Sequence, residues 1–469
     1  MDRFIQFLIF FVIISSVFGL MQWYVIRSYF RWVRLAFAQE SVKQIRRLTI
    51  LLLIAANIFF FLRFPSTELG WYEHTLFQAV VIYPGGIFFG AVVLAFLILL
   101  PFHTSAFFYR IVTRISGYLN NLRNHIGGSA DNRSQKQHGN TPSETAASAV
   151  ETFASETELN DHSTANSFPA SQVSGTASGS ALSDIISRRD FIKTTGTVLS
   201  AAPLGITVMA SAATAHDYQI TRKTLYYPDL PSGLEGLRIA QLSDIHSGIY
   251  MTENQMRDIF RLTNEEDPHL VTITGDLVDN SVSEIPALYR ALEDLKAEYG
   301  VYACLGNHDH YASAGAVSDA MIERGLHMLT NTHESLAVNG ETVSIFGVDD
   351  HESGSPKELR MQNATANMPD HGFRMLLSHR PDLFDDARNY HIHLTLAGHT
   401  HGGQVGFDVL GLPLYPIHLF HEYAKGLYDY GAYKAYVNVG IGMVGAPVRL
   451  VKPELSVFEL TRQPGKAAS

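Results

Sequence analysis

One cysteine, Cys304, occurs among 469 residues, so no intrachain disulfide can form and the redox compartment is left open. Charge is scarce as well: charged residues make up 17% of the chain, against 46% hydrophobic residues. That charge is unevenly placed. Residues 1–126 carry eleven Lys/Arg and four Asp/Glu, and the whole chain is −10, so the remainder holds the acidic excess. The acidic part has no polybasic run, which argues against a nucleic-acid partner. At this length the chain exceeds one ordinary domain. It has room for a membrane segment and a domain of roughly 250 residues with its own core.

What is present in the first part is apolar sequence. Three stretches stand out: Phe4 to Ile26, Leu48 to Leu62, and Thr75 to Pro101. A helix needs about 20 apolar residues to cross a bilayer. The first and third satisfy this; the second needs its flanks. Buried core helices rarely run so long without a charge, so the reading is a transmembrane anchor over residues 1–126, with the lipid bilayer as its partner. Arg27, Arg31, Arg34, Lys43, Arg46 and Arg47 between the first two stretches favour the cytoplasmic side. The loop from Arg63 to His74, with Glu68 and Glu73, then lies outside, Arg110, Arg114 and Arg123 lie inside, and the N-terminus lies outside. No paired intramembrane charges mark an ion pathway, which favours a plain anchor over a transport module.

Residues 127–186 are rich in Ser, Thr, Ala, Asn and Gly and cannot bury enough apolar surface to offset the entropy of ordering. They are expected to be a disordered linker. Ser187-Arg188-Arg189-Asp190-Phe191-Ile192-Lys193 and the mildly apolar run to Ala215 resemble a twin-arginine export signal. The resemblance implies the twin-arginine translocation machinery as a partner and Ala213-Thr214-Ala215 as a cleavage site. The alternative is a fourth membrane helix. Both place the residues after 216 outside.

From His216 onward short strands and amphipathic helices alternate. Strands are expected at Leu237–Leu242, Leu270–Thr274, Val301–Leu305, Arg374–Ser378 and His393–Ala397, with helices near Glu253–Leu262 and Ile285–Ala297. This pattern predicts an α/β fold with a largely parallel core, in which functional residues gather past the carboxyl ends of strands. Each expected strand runs straight into potential metal ligands: Asp244-Ile245-His246, then Gly275-Asp276, Gly306-Asn307-His308-Asp309, His379, and Gly398-His399-Thr400-His401. One such strand end means little, but five together are a strong signal. Carboxylate, imidazole and amide donors suit Mn, Fe, Zn or Co. Two such ions about 3.5–4 Å apart can share a carboxylate and a water, which loses a proton near neutral pH and becomes the nucleophile in an in-line displacement.

This order of motifs resembles the calcineurin-like metallophosphoesterase superfamily over residues 217–462. The run Gly398-His399-Thr400-His401-Gly402-Gly403-Gln404 and the segment Val439–Gly442 through Pro447, Arg449, Pro453 and Glu454 resemble its membrane-linked or twin-arginine-exported phosphodiesterase branch. The resemblance implies a four-layer β-sandwich of two mixed sheets flanked by helices. It further implies that Asp244, His246 and His401 bind one metal, that Asn307, His379 and His399 bind the other, and that Asp276 bridges them. His308 would meet the substrate phosphate, with Asp309 orienting it.

The neighbours have plainer readings. His310 lines the pocket at most. His391 and His393 lie away from the metal end of their strand, and His351, His418 and His421 lie in surface loops. Asp279 supports from outside the ligand set, Cys304 packs in its strand, and Arg449 either binds substrate phosphate or makes an ordinary ion pair. The loop holding Leu410, Leu412, Leu414, Ile417, Leu419 and Phe420 meets either lipid or core. The functional expectation is a membrane-anchored phosphoesterase, a phosphodiesterase or pyrophosphatase acting on a lipid-linked or cell-envelope substrate. The alternative is a non-catalytic metal-binding receptor or regulator, against which the presence of His308 argues.

Overall fold

The computed structural model describes residues 3–131, 198, 202–209, 211, 217–404, 407–409, 412–414, 416–419, 421–445 and 447–463. The Arg188-Arg189 motif, the linker beyond Asp131, the Ala213–Ala215 site, Leu410 and Phe420 lie outside these residues. The chain forms two compact units, Met1–Phe96 with Lys193–Ser469, and Leu97–Ile192.

Three long helices open the chain: α1 (Arg3–Ala36), α2 (Gln39–Glu68) and α3 (Tyr83–Asp131). A π-helical turn, Gln78–Ile82, precedes α3. Gln39–Arg63 and Gln78–Thr113 are long and apolar enough to cross a membrane. The run expected to begin at Leu48 therefore does recruit its flank. The connection expected over Arg63–His74 is shorter than that, because α2 continues to Glu68. Nor does Pro101 end the third run; it sits inside α3. Proline removes the N–H that would reach the Leu97 carbonyl one turn back, and the helix continues past it. Phe18, Phe60 and Val92 pack where α1, α2 and α3 meet. The Gln22 and Asn57 amides exchange hydrogen bonds of 2.9 and 3.2 Å between α1 and α2, pairing polar groups in apolar surroundings.

The larger part is built on two six-stranded sheets. The first has the order β1-β14-β2-β3-β4-β5: β1 (Gln219–Tyr226), β2 (Arg238–Leu242), β3 (Leu270–Thr274), β4 (Val301–Cys304), β5 (His327–Met328) and β14 (Glu454–Thr461). The second runs β12-β13-β9-β8-β7-β6: β6 (Thr332–Val338), β7 (Glu341–Val348), β8 (Phe373–Ser378), β9 (Leu394–Ala397), β12 (Gly426–Tyr430) and β13 (Tyr433–Val437). A small pair, β10 (Phe407–Val409) and β11 (Leu412–Leu414), stands apart. Within each sheet the central strands are parallel, but β14 runs antiparallel to β2, β6 to β7, and β12 to β13. The sheets are thus mixed, where alternation alone suggested a largely parallel core.

Side-chain alternation sorts the core into layers. Ile239, Leu270, Cys304, Ile345, Met375, Leu377, Leu394 and Phe458 fill the space between the sheets. Ala240, Val271, Ile273 and Ala303 point the other way, onto Met256, Ile259, Phe260, Leu288 and Ala291 of the helices at Glu253–Glu265 and Ile285–Ala291. Phe346, Val348 and Leu376 do the same for the helices at Lys357–Thr365 and Phe384–Asn389. The architecture is therefore helix, sheet, sheet, helix. Full burial of one such aliphatic side chain contributes about 1.5–3 kcal/mol.

The helix expected to reach Ala297 stops at Ala291, with a tighter turn at Leu292–Asp294. The Asn264 amide explains this: its oxygen accepts from the Lys296 N–H at 3.0 Å and its nitrogen donates to the Asp294 carbonyl. Those backbone groups are then unavailable for further helical bonds.

Candidate metal centre

The parallel register aligns the strand ends, since Leu242 pairs with Ile273, Ile273 with Ala303, and Leu377 with Leu396. The turns that follow β2, β3, β4, β8 and β9 consequently converge at one rim of the sandwich. Five residues of those turns, Asp244, His246, Asp276, His399 and His401, adopt positive φ between 48° and 69°. Such backbone is unfavourable for these residue types and persists where surrounding structure holds it, as at functional sites. Glycine makes the approach possible. A Cβ on Gly275, itself at φ 80°, would lie 2.6 Å from His379 Nδ1, and one on Gly398 would overlap Ser243 Oγ and Asp244 Oδ2.

The seven expected ligands meet there. His401 Nε2 lies 3.3 Å from Asp244 Oδ1 and 3.1 Å from His246 Nε2. On the other side His379 Nε2 lies 3.1 Å from Asn307 Oδ1 and 3.1 Å from His399 Nδ1. Asp276 Oδ2 stands between the two groups, 3.5 Å from His246 Nε2 and 3.2 Å from His379 Nε2. Ligands about 2.0–2.2 Å from one ion stand roughly 3.0–3.5 Å from each other, so these separations fit metal coordination. The groups Asp244, His246, His401 and Asp276, His379, His399 could each hold a cation.

Orientation agrees with that, and so does the protonation of two of the four imidazoles. Burial opposes charge on His379 and His246 too, but Asp276 raises His379 to about 10 and Asp279 with Asp276 raises His246, so these two would give up a proton when a cation binds. His379 Nδ1 is 3.0 Å from the Thr274 carbonyl, which leaves Nε2 for the cavity. Burial, with His379 and Arg380, lowers His399 to about 3, and burial with His246 drives His401 well down, so both imidazoles are neutral as ligands must be. Burial opposes the Asp276 carboxylate, but His379 together with His246 and His308 holds it well below the ordinary range. Buried carboxylates beside buried imidazoles are the donor chemistry that a divalent cation satisfies.

His308 stands over this group. Its N–H donates to Asp276 Oδ1 at 2.8 Å, and its ring is 4.6 Å from that of His246. The expected orienting partner, Asp309, makes its hydrogen bonds away from the His308 ring. Asp309 accepts from the Leu277, Val278 and Gly306 N–H groups at 2.9, 3.1 and 2.9 Å, tying the β3 and β4 turns together. Its place beside the ring is taken by Asp279, whose carbonyl meets His308 Nδ1 and whose carboxylate is 3.6 Å away. The sequence put Asp309 adjacent to His308; only the fold turns its side chain away.

Arg449 requires a larger correction. It is fully buried, and donates to the carbonyls of Val451, Gly440, Val439 and Gly442. With those donors spent on backbone, no fork remains for a substrate phosphate. It secures the turn whose Gly442 N–H binds the Asp244 carbonyl at 2.8 Å.

Other residues fall as follows. His310 Nε2 pairs with Asp349 at 2.7 Å. His393 stacks on Phe373 at 5.1 Å and accepts from the Arg374 N–H, and His391 meets the Tyr433 hydroxyl. His351 and His418 are exposed, whereas the His421 ring lies 6.1 Å from that of His399. Cys304 is buried, and burial pushes its thiol well up. Sequence reasoning overlooked Arg380 and Tyr311. Arg380 lies 2.7 Å from His399 Nε2 and 2.8 Å from Asp350, while Tyr311, half exposed, has its ring 5.1 Å from that of His308. Adjacency to His379 and His308 was the only available signal.

Two mixed sheets with ligands at their shared rim define a metallophosphoesterase fold. Residues 237–403 match the family model described as calcineurin-like phosphoesterase. The chain is 32% identical over 283 residues to the uncharacterized metallophosphoesterase YkuE of Bacillus subtilis (strain 168), covering 59% of this chain and 98% of that protein. It is 31% identical over 244 residues to an uncharacterized metallophosphoesterase of Aquifex aeolicus (strain VF5), covering 50% and 88%. A Danio rerio protein named transmembrane protein with metallophosphoesterase domain is 31% identical over 236 residues, covering 47% and 52%. The chain belongs to the calcineurin-like metallophosphoesterase family, a family of phosphoric ester hydrolases.

Proposed function

We propose that this protein is a membrane-anchored phosphoesterase with a dinuclear site, cleaving a phosphodiester or pyrophosphate whose other end is a lipid or another envelope component. The observation that carries the reading is Asp276 Oδ2, placed between His246 and His379 so that one carboxylate serves two donor groups. Asp244, His246 and His401 would hold one ion, Asn307, His379 and His399 the other, and Asp276 both. Bound there, divalent ions would supply charge neutralisation for the phosphoryl oxygens and a low pKa for a coordinated water.

The chain's own residues account for the rest. Burial foremost, with His246, lowers the His308 imidazole, so at neutral pH its ring is uncharged, with Nδ1–H given to the Asp279 carbonyl and Nε2 free. After Nε2 takes up a proton from solvent, the ring would steady the transferring phosphoryl group by N–H donation and pass that proton to the leaving oxygen. Arg380, beside His399, adds positive charge at the rim. Tyr311 offers a surface for the leaving group.

Topology supports an outward-facing site. The basic residues from Arg27 to Arg47 flank the α1–α2 junction; α2 carries Lys43, Arg46 and Arg47 near its start and Arg63 toward its other end, and the domain packs at the Arg63 end. With the basic loop in the cytoplasm, the domain is extracytoplasmic. Arg63 also ends the apolar span Gln39–Arg63, so the domain's rim sits at headgroup height, where a lipid-linked phosphate presents itself. A relative that is itself named a transmembrane protein agrees with the anchor.

The test is hydrolysis of a chromogenic phosphodiester by the full-length chain in lipid nanodiscs, with and without Mn, beside Asp276→Asn and His308→Ala. Metal-dependent turnover falling at least about 100-fold in both variants is expected. Tight metal binding with no cleavage of diester, monoester or pyrophosphate would instead favour a metal-binding receptor.

A further inference from the structure

The junction between anchor and domain is made by residues adjoining the metal centre. Tyr72 and Ile82 of the anchor form one buried cluster with Ile249, Tyr250 and Met443 of the domain. Arg63 Nη2 donates to the Gly445 carbonyl at 2.9 Å, and its guanidinium lies 5.5 Å from the Tyr250 ring. A Cβ on Gly86 would overlap both the Pro447 ring and the Tyr250 hydroxyl, so α3 meets the domain without a side chain between. Ile249 and Tyr250 follow His246 by three and four residues. Met443 and Gly445 follow the Gly440–Gly442 turn, where Gly442 N–H binds the Asp244 carbonyl and a Cβ on Gly440 would lie 2.7 Å from that of Asp244.

A second path leads from the junction to His308. The turn Val282–Glu284 packs against α2. Glu284 Oε2 accepts from the N–H groups of Asp279, Asn280 and Ser281 at 2.9, 2.8 and 3.0 Å, which shapes the loop whose Asp279 carbonyl holds the His308 ring. Ser247, next to His246, donates to the Glu284 carbonyl at 3.0 Å.

We propose that Arg63 is a positioning residue for the hydrolytic site, and that the outer end of the membrane helices is a wall of the catalytic unit. By fixing residues 249–250 and 443–445, with α2 held against the Val282–Glu284 turn, it sets His308 and the Asp244 turn in working geometry. The anchor is then more than a tether: its attachment tunes turnover, and phosphate esters are cleaved at full rate only where that end of the helices is folded against the domain. This inference rests on the phosphoesterase reading.

The test uses full-length protein in nanodiscs, with Arg63→Ala, Arg63→Lys, and Arg34→Ala as a control at the other membrane face. On a soluble chromogenic diester, Arg63→Ala is expected to lower kcat about 10-fold with KM and bound metal unchanged, as for residues that orient a metal site from outside its ligand set. Arg63→Lys should recover part of the loss and Arg34→Ala should match the parent. Hydrogen exchange, read on the same samples, should rise in 277–284 and 441–450 for Arg63→Ala. Parental kcat with parental exchange overturns the inference and leaves the hydrolase reading intact. A parent that turns over nothing overturns the hydrolase reading, and the exchange data then decide whether Arg63 orders these segments: unchanged exchange sinks that too.

Discussion

Replacing Arg449 by alanine separates two accounts of this residue. If it recognises substrate phosphate, the variant folds as before and KM rises. The structure predicts the reverse. Its guanidinium, fully buried, serves the carbonyls of Val439, Gly440, Gly442 and Val451. An orphaned buried acceptor costs about 1–3 kcal/mol. Four at the lower bound give about 4 kcal/mol, and water entering the vacated space trims that only in part. For a domain of this size about 1 kcal/mol moves the melting temperature roughly 2–4 °C, so a fall of about 8–16 °C is expected. The assay is the thermal transition by circular dichroism, because Trp23, Trp32 and Trp71 all lie in the N-terminal apolar part and tryptophan emission would miss the domain. Arg449→Lys, with fewer donors, should fall between. Retention of the parental melting temperature within about 2 °C, with a raised KM alone, would refute the reasoning.

Other outcomes follow from the same geometry. Gly398→Ala places a methyl group on Ser243 Oγ and Asp244 Oδ2, and should cost about 1–3 kcal/mol and reduce bound metal, checked by elemental analysis of the purified chain. Burial, with Arg374 and His391, lowers His393 to about 4, below its unfolded value of about 6.5. The folded state thus binds fewer protons between these values, so its contribution is complete above about pH 6.5 and is lost as pH falls toward 4, by about 2–3 kcal/mol. His393→Gln should be less stable at neutral pH yet lose less on acidification, which melting curves across that window would reveal. Asp279→Ala should lower kcat more than Asp309→Asn lowers it per degree of lost stability, since of these two carboxylates it is Asp279 that approaches the His308 ring; the ratio of kcat to melting temperature for the two variants tests this.

The candidate donor set was legible in the chain because each of these residues follows a strand directly, and a strand end is a local feature of hydrophobic pattern. Leu270–Thr274 was readable to the residue, and β8 and β9 to within one. The apolar helices declared themselves by length and lack of charge in the same way. Sheet direction at the edges was not legible, since β14 reaches β2 from more than 200 residues away and its own sequence carries no sign of antiparallel pairing.

Side-chain direction beyond a strand end was equally hidden. Asp309 and Asp279 are both acidic residues near His308, and the backbone turns alone decide that one braces three N–H groups while the other faces the imidazole. Arg449 reads as either a phosphate ligand or an ion-pair partner until the turn around it buries the guanidinium on backbone carbonyls. The sequence by itself determined which donors exist and which segments are apolar, because composition and periodicity are properties of neighbours along the chain. Tertiary structure alone decided which donors face each other, which charges are spent on backbone, and that Arg63 from a long apolar helix stands beside Gly445, because those are properties of neighbours in space.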